Sequence, residues 1–271
     1  MNRQPVAAGR FYPADKKGIE IFLSGTGPIS KSKKDALAIV SPHAGYIYSG
    51  AIAVQTISGI RIADTVVIIG PNHAAIGSPF AVYGSGKWHT PLGDIAVDEK
   101  MSCAICRACG LIMDDKTAHC REHSIEVQLP ILQYFRRDFK IVPIILQGGS
   151  LGQCRQIAEA IVNAKEKTGT DILIIASSDM THYESYDTAA RKDGIAIEAM
   201  LKLDENLLYE SVCRYDISMC GCPGVAVALS AAKKMGANLA RLIRYATSAD
   251  ATGDYDSVVG YAGVVVEKVS V

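Results

Sequence analysis

The chain alternates short apolar runs with amphipathic segments, and this alternation constrains its fold more than any other feature. Runs such as Ala36–Val40, Thr65–Ile69 and Asp171–Ala176 place apolar side chains on both faces of a strand. Strands of this kind are typical of sheets that are covered by helices on both sides. We therefore expect an α/β fold of three layers, in which a largely parallel central sheet has helices on both faces.

The same periodicity predicts the individual elements. The predicted strands are Ala36–Val40, Thr65–Ile69, Lys140–Leu146, Asp171–Ala176, Leu239–Tyr245 and Val258–Val266. The predicted helices are Asp15–Leu23, Gly50–Ser58, Asp98–Gly110, Ser124–Phe135, Gly152–Lys167, Asp187–Lys202, Glu205–Val212 and Pro223–Met235. No repeat or linker rich in Pro, Gly or Ser interrupts the pattern, and α/β domains of this length commonly stay undivided. Residues 1–271 are therefore predicted to form a single domain.

The charge balance argues against two classes of partner. Lys plus Arg number 28 and Asp plus Glu number 28, so the formal net charge is zero. Without a basic excess, we expect neither nucleic acid nor an anionic membrane as a partner. The uncharged stretch 36–60 is long enough to span a bilayer, but its centre contains Pro42 and His43, so a strand, a polar turn and a helix fit it better. The first residues lack the apolar core of a signal peptide, which predicts a cytoplasmic location.

Eight cysteines are present, and reduced thiols are expected for a large chain without an export signal. Cys103, Cys106 and Cys109 have the spacing C-x-x-C-x-x-C, which also occurs in iron–sulfur proteins. No fourth cysteine follows at ferredoxin spacing, and the three lie at three-residue steps of a predicted helix. We therefore interpret them as small residues that pack in the core.

Polar residues follow three of the predicted strands directly, and each group contains a histidine. These histidines are His43, His73 and His182. In open α/β sheets, ligands bind beyond the carboxyl ends of the strands, so we expect the three imidazoles at one rim of the sheet. A single histidine there would be interpreted equally well as a turn or cap residue. Neutral imidazole is a common ligand of transition metals, so three together indicate a metal site.

The residues leave two candidates for a further ligand. Asp179 would complete a set of two histidines and one carboxylate, which suits iron(II). The alternative is a thiolate from Met219–Gly224, a loop that contains Cys220 and Cys222 and leads into a predicted helix. The dipole of that helix would favour the thiolate form of such a cysteine. In the simpler interpretation, both cysteines are small residues of a tight loop.

Several motifs together resemble those of the Memo family. They are VAAGRFYP, SPHAGYIYSG, GPNH, WHTPLGDIAVD, EHSIEVQLP, SSDMTH and the MCG of Met219–Gly221, and they span nearly the whole chain in one order. The resemblance implies a fold like that of class III non-haem-iron extradiol dioxygenases. It also implies that His43, His73 and Cys220 occupy the metal-binding positions and that His182 matches the acid/base histidine of the dioxygenases.

The resemblance also implies partners. In archaea and bacteria, the family is associated with an AMMECR-type protein and a radical-SAM protein. Eukaryotic Memo proteins are described as signalling mediators that bind phosphotyrosine peptides. The dioxygenases have a glutamate where this chain has Cys220, and a thiolate shifts the preference towards copper or zinc. One transition metal ion is therefore expected, either iron or copper, with zinc as a further candidate.

Other residues are assigned secondary roles. The resemblance makes His123 a possible pocket residue, although Ser124 and Glu126 after it also fit the first turn of a helix. Phe11 and Tyr12 are candidates for the pocket mouth. If residues 179–182 formed a helical turn, Asp179 would lie beside His182 and orient it as a general base. Asp179 is alternatively a residue that fixes the tautomer of a ligand imidazole.

Three functions follow from these residues. The first is a metal-dependent, dioxygenase-like oxidoreductase that acts on a small or peptide-borne aromatic substrate. The second is a non-catalytic module that binds a peptide or protein in the same pocket. The third is a zinc hydrolase with His182 as general base. No G-x-S-x-G, P-loop or G-x-G-x-x-G sequence follows a strand, which argues against serine hydrolases and nucleotide-binding proteins.

Overall fold

A computed structural model describes residues 2–27, 30 and 32–269. Its strands are β1 Ala38–Ser41, β2 Thr65–Pro71, β3 Phe80–Val82, β4 Lys87–Thr90, β5 Gly93–Val97, β6 Met113–Asp114, β7 Lys140–Leu146, β8 Ile172–Ser177, β9 His182–Glu184, β10 Leu239–Thr247 and β11 Val258–Glu267. Its α-helices are α1 Lys16–Gly25, α2 Ala51–Ser58, α3 Glu99–Ala108, α4 Gln128–Phe135, α5 Leu151–Thr168, α6 Tyr186–Leu201, α7 Glu205–Arg214, α8 Cys222–Lys234 and α9 Ala249–Thr252. A π-helical turn, Tyr46–Gly50, leads into α2.

The central sheet is mixed, and its middle is parallel. The strand order is β10-β11-β1-β8-β2-β7-β3-β6. Strands β1, β8, β2 and β7 pair in parallel, whereas β11 joins β1 and β3 joins β7 in antiparallel fashion. The prediction of a largely parallel sheet is confirmed. All four parallel strands therefore end at the same edge of the sheet.

Alternate residues of the parallel strands contribute to two separate cores. Val40 and Val67 pack with α3, α5 and α8 on one face of the sheet. Ile39 and Ile68 pack with α1, α2 and α4 on the other face. Since side chains alternate along a strand, a run that is apolar at every position can serve both cores. The predicted α/β architecture with helices on both faces is confirmed.

Capping residues in the sequence determine where several helices begin and end. Helix α5 begins after Ser150, whose hydroxyl accepts a hydrogen bond from Gln153 N while the Gln153 side chain accepts one from Ser150 N. It ends at Thr168 and is followed by the capping residue Gly169, whose φ of 68° suits a residue without Cβ. Asp15 caps α1 in a similar way, accepting from Gly18 N at 2.9 Å.

Helix α4 begins four residues later than predicted. We expected it to start at Ser124, with Ser124 as its cap, but it starts at Gln128. The Ser124 hydroxyl instead donates to the Glu122 carboxylate at 2.7 Å. Glu126 directly precedes Val127, the N-cap of α4, but its carboxylate accepts hydrogen bonds from Val6 N and Ala7 N, near the start of the chain. Long-range contacts therefore outweigh the local capping pattern here.

The three closely spaced cysteines differ in their surroundings. Cys109 is buried in the core, Cys106 is partly buried and packs against it, and Cys103 is exposed. The core-packing interpretation is therefore wrong for Cys103, because the helix turns that residue to solvent. In the part of the chain that the structure describes, no helix is long and apolar enough to cross a bilayer.

Candidate metal centre

Three imidazole rings converge beyond the carboxyl ends of the parallel strands. A ligand nitrogen of each of His43, His73 and His123 lies within 4.8 Å of the other two. The rings of His73 and His123 are stacked with centroids 4.8 Å apart, and His43 meets them edge-on at 5.3 and 5.8 Å. Within the described ranges, this is the one cluster of His, Cys, Asp or Glu with such geometry. An arrangement of this kind can hold one metal ion.

The two strands that flank β8 deliver His43 and His73. Strand β1 ends at Ser41 and β2 ends at Pro71, so each histidine lies two residues beyond its strand. Both strands are parallel to β8, and their loops leave the sheet at the same edge. The two imidazoles therefore meet above the end of β8.

His123 reaches the cluster from outside the sheet. It lies in the turns before α4, and this segment passes close to the backbone of β2. A Cβ atom at Gly70 would overlap Ser124 Oγ, so the close approach requires glycine there. The Glu122 carboxylate stabilises the turn by accepting hydrogen bonds from Ser124 Oγ and Ile125 N.

A buried carboxylate ties the start of the chain to the same segment. Glu126 is 0% exposed, and Arg3 Nη1 donates to its Oε2 at 2.6 Å. Further donors are Val6 N at 2.9 Å, Ala7 N at 2.8 Å and the Tyr12 hydroxyl at 2.8 Å. The carboxylate therefore has four hydrogen-bond donors, and one of them is charged.

This attachment brings an aromatic ring to the cluster. The Phe11 ring centroid lies 4.5 Å from that of His123, and Phe11 lines the cavity in front of the histidines. Tyr12, the other predicted residue of the pocket mouth, is buried in the core and does not line the cavity. Its hydroxyl instead donates to Glu126.

Burial keeps the three imidazoles neutral. Desolvation lowers the pKa of His43 well below its usual value, and the neighbouring His73 and His182 act in the same direction. Desolvation also lowers the pKa of His73, and it lowers the pKa of His123 to about 4. Neutral imidazoles have a lone pair free for a metal, so protons do not compete for these positions near neutral pH.

Cys220 lies beside the cluster. Its Sγ atom is 3.4 Å from His43 Nε2 and accepts a hydrogen bond from Asp179 N at 3.3 Å. Burial raises the pKa of the Cys220 thiol to about 12, and the nearby Asp179 carboxylate adds to this. Burial of the thiol therefore opposes the effect expected from the dipole of α8, which would favour the thiolate. Cys222 is buried in the core on the first turn of α8.

Asp179 supports the loop that carries His43. Its Oδ1 accepts a hydrogen bond from His43 N at 2.7 Å, and its Oδ2 lies 4.0 Å from His43 Nε2. Burial raises the pKa of this carboxyl group, although hydrogen bonds from the His43 and Ala44 backbone partly oppose the shift.

His182 lines the same cavity but is held differently from the prediction. The helical turn expected over residues 179–182 is wrong, because His182 begins β9, which pairs with β11. Its Nδ1 donates to the Ser218 carbonyl at 3.0 Å, and its backbone N donates to Ser218 Oγ at 2.8 Å. Ser218 therefore orients the ring, and the carbonyl acceptor requires the neutral form to carry its proton on Nδ1.

The cavity in front of the histidines has a volume of about 670 Å³. Its aromatic walls are Phe11, Tyr48, Tyr183 and Tyr261, and Ser248, Thr252 and Ser257 add hydroxyl groups. Tyr183 is 78% exposed and has a φ of 58°, a strained conformation for a bulky residue. Among the described residues that line the cavity, none is Lys or Arg.

His123 is the member of the histidine cluster that the sequence patterns predict least strongly. Its neighbours have a capping pattern, and it follows no predicted strand, so the rule for strand ends did not select it. The signal that pointed to it was its place in the motif EHSIEVQLP.

The chain is similar to known proteins over nearly its whole length. The family model described as Memo-like protein matches residues 3–265. A MEMO1 family protein of Methanopyrus kandleri is 42% identical over 282 residues, covering 99% of this chain and 100% of the relative. A MEMO1 family protein of Methanocaldococcus jannaschii is 40% identical over 284 residues, covering 98% of this chain and 99% of the relative.

A solved structure shares the fold. The crystal structure of an uncharacterized protein from Escherichia coli K12 aligns with a TM-score of 0.59 and 13% sequence identity. The alignment covers 85% of this chain and 99% of that protein. At this identity the similarity concerns the fold alone.

Proposed function

Because this chain belongs to the Memo family, we propose that it is a metal-dependent oxidoreductase. In this proposal, the histidine cluster binds one transition metal ion and the cavity binds a small or peptide-borne aromatic substrate. The observation that carries the proposal is the convergence of His43, His73 and His123 within 4.8 Å at the cavity floor. Iron and copper are the metals that we favour.

The residues present fit a metal ion. All three imidazoles are neutral near pH 7, since burial lowers the pKa of each. No lysine or arginine of the described chain lines the cavity to repel a cation, and the buried carboxyl of Asp179 adjoins His43. Neutral imidazoles beside an acidic group are a donor set that suits divalent first-row metals.

Cys220 is our candidate for a fourth ligand. Bond lengths of about 2.1 Å to imidazole nitrogen and about 2.3 Å to thiolate sulfur place two ligand atoms roughly 3.6 Å apart in a tetrahedral zinc site. His43 Nε2 and Cys220 Sγ are 3.4 Å apart, which is close to that separation. In the protein without metal, the same distance suits an S–H···N hydrogen bond.

When bound, the metal would supply Lewis acidity and, for iron or copper, a redox centre. The protein would supply a base. His182 has its Nδ1 proton engaged with the Ser218 carbonyl, so its Nε2 lone pair is the one available to a ligand in the cavity. We assign His182 the role of general acid/base on this ground, with Asp179 positioning His43.

The cavity walls support an aromatic substrate of low charge. Phe11 lies against His123, and Tyr48, Tyr183 and Tyr261 line the cavity as well. Aromatic side chains favour a planar ligand through offset or edge-on contacts. Phosphate groups are usually recognised by Arg clusters, and the absence of Lys and Arg from the described lining disfavours a phosphopeptide module.

A zinc hydrolase is the second candidate, because the spacing of His43 Nε2 and Cys220 Sγ suits zinc. Elemental analysis of protein purified without an affinity tag and without added metal separates the alternatives. Iron or copper near one atom per chain would support the oxidoreductase, and zinc would support the hydrolase. A folded protein without metal would contradict both and would leave a binding module.

A further inference from the structure

A buried hydrogen-bond network surrounds the nitrogen of His43 that faces away from the cluster. His43 Nδ1 lies 3.0 Å from Ser177 Oγ. Ser177 Oγ donates to the Ser124 carbonyl at 2.7 Å and accepts from Gln128 Nε2 at 3.0 Å. His43, Ser124, Gln128 and Ser177 are each at most 2% exposed. Water therefore cannot replace a partner that is lost.

The Gln128 amide has one orientation that satisfies its neighbours. Its Nε2 donates to the Pro42 carbonyl at 2.8 Å as well as to Ser177, and its Oε1 accepts from Ser41 Oγ at 2.8 Å. The opposite orientation would place an amide oxygen against the Pro42 carbonyl oxygen. Gln128 is thus a donor to Ser177 and leaves the hydroxyl proton of Ser177 to be donated elsewhere.

The Ser177 hydroxyl has a single proton, and this fixes the direction of its bond to His43. The proton goes to the Ser124 carbonyl, so Ser177 Oγ can only accept from His43. Turning the proton to His43 Nδ1 would take this hydrogen bond from a buried carbonyl group, which is costly. A neutral His43 therefore has its proton on Nδ1 and its lone pair on Nε2, the nitrogen that lies 3.4 Å from Cys220 Sγ.

We propose that Ser177, held by Gln128, is a positioning residue that fixes the tautomer of His43 and presents the Nε2 lone pair to the metal. The same hydroxyl is bonded to the carbonyl of Ser124, the residue that follows His123, so Ser177 joins the segments of two ligands. The inference rests on the proposed metal-binding function. Partners of this kind orient ligand imidazoles in metal sites, and their loss typically lowers metal affinity by about 10–100-fold.

The test uses the nitrogen NMR signals of the histidine rings in ¹⁵N-labelled, metal-free protein, where protonated and unprotonated ring nitrogens are well separated. Comparison with His43→Gln identifies the signals of His43. We expect the proton of His43 on Nδ1 in the wild-type protein and in Ser177→Thr, which keeps the hydroxyl. Ser177→Ala should give a mixture of tautomers and about 10–100-fold weaker zinc binding in a competition titration with a chelator.

Thr56→Val is the matched control. Thr56 Oγ1 is also buried and donates to a carbonyl, that of Ile52, at 2.7 Å, but it lies on α2, which lines no part of the cavity. This variant should lose stability without any change in the His43 tautomer or in zinc affinity. A structural role of Ser177 alone would make Ser177→Ala behave like Thr56→Val, which would overturn the inference.

Two further outcomes separate this inference from the proposed function. A wild-type His43 with its proton on Nε2 would overturn the inference, even if Ser177→Ala failed to fold. The His43 proton could lie on Nδ1 in the wild-type protein and move in Ser177→Ala although the protein binds no metal. This result would support the role of Ser177 in setting the tautomer and would contradict the proposed function.

Discussion

Glu126→Gln should destabilise the protein strongly, although it only replaces one carboxylate oxygen with an amide nitrogen. The Oε2 atom of Glu126 accepts from Arg3 Nη1 and Val6 N, and Oε1 accepts from Ala7 N and the Tyr12 hydroxyl. An amide nitrogen in place of either oxygen would therefore face at least one backbone N–H group, which can only donate. The substitution also removes the negative charge that lies 2.6 Å from the buried Arg3 guanidinium.

The magnitude follows from the burial of both partners. Breaking a buried ion pair typically costs about 3–5 kcal/mol, because a charge is left without its partner. Glu122 Oε2 lies 3.9 Å from Arg3 and offsets part of this cost, so we expect the lower end of the range. A loss of about 3 kcal/mol corresponds to a fall in Tm of roughly 6–12 °C in a protein of this size.

Urea unfolding followed by circular dichroism measures the change in the free energy of unfolding. Glu198→Gln is the control, because Glu198 is exposed and its ion pair with Lys202 lies on the protein surface; the Tm of this variant should not change. A loss below about 1 kcal/mol for Glu126→Gln would refute the reasoning, since it would mean that solvent or another group replaces the carboxylate as acceptor for the four donors.

Three further predictions concern the site and its surroundings. Loss of a proposed ligand should remove most of the metal found by elemental analysis, whereas Cys222→Ser should retain it; the ligand variants are His43→Ala, His73→Ala, His123→Ala and Cys220→Ser. His182→Ala should keep its metal and lower turnover or ligand binding by about 10²–10⁴-fold, and either loss of metal or a lowered Tm with unchanged binding would contradict the role of acid/base. Burial lowers the pKa of His119 to about 4, so the folded protein favours the neutral ring. The contribution of this group to the free energy of unfolding is complete above pH 6.5 and is lost as the pH drops from 6.5 towards 4, by up to about 3 kcal/mol. Urea unfolding at a series of pH values should show a smaller acid sensitivity for His119→Gln, and an unchanged slope would contradict this.

Local patterns in the sequence predicted the elements that have strong local causes. The runs that became β2, β7 and β8 are apolar at nearly every position, which specifies a strand between two layers of helices. The rule for strand ends then placed His43 and His73 at one edge of the sheet, because it depends only on parallel order.

The remaining features depend on contacts between distant residues. His123 meets His43 only because Glu122 and Gly70 shape the turns before α4. His182 begins a strand because it pairs with Val259 of β11, 77 positions later by number, and no local pattern predicts that pairing. The burial that raises the pKa of Cys220 likewise arises from the packed fold, whereas the sequence indicates only that a helix follows.

The central claim is that His43, His73 and His123 hold one metal ion. Anomalous diffraction tests it most directly. The crystals would contain protein purified without a tag and without added metal, and the data would be collected at the absorption edge of the metal found by elemental analysis. We predict one anomalous-difference peak per chain, within about 2.0–2.3 Å of a ring nitrogen of each of the three histidines. An anomalous peak at another place in a protein that contains metal, with none of these nitrogens in contact with the metal, would contradict the claim.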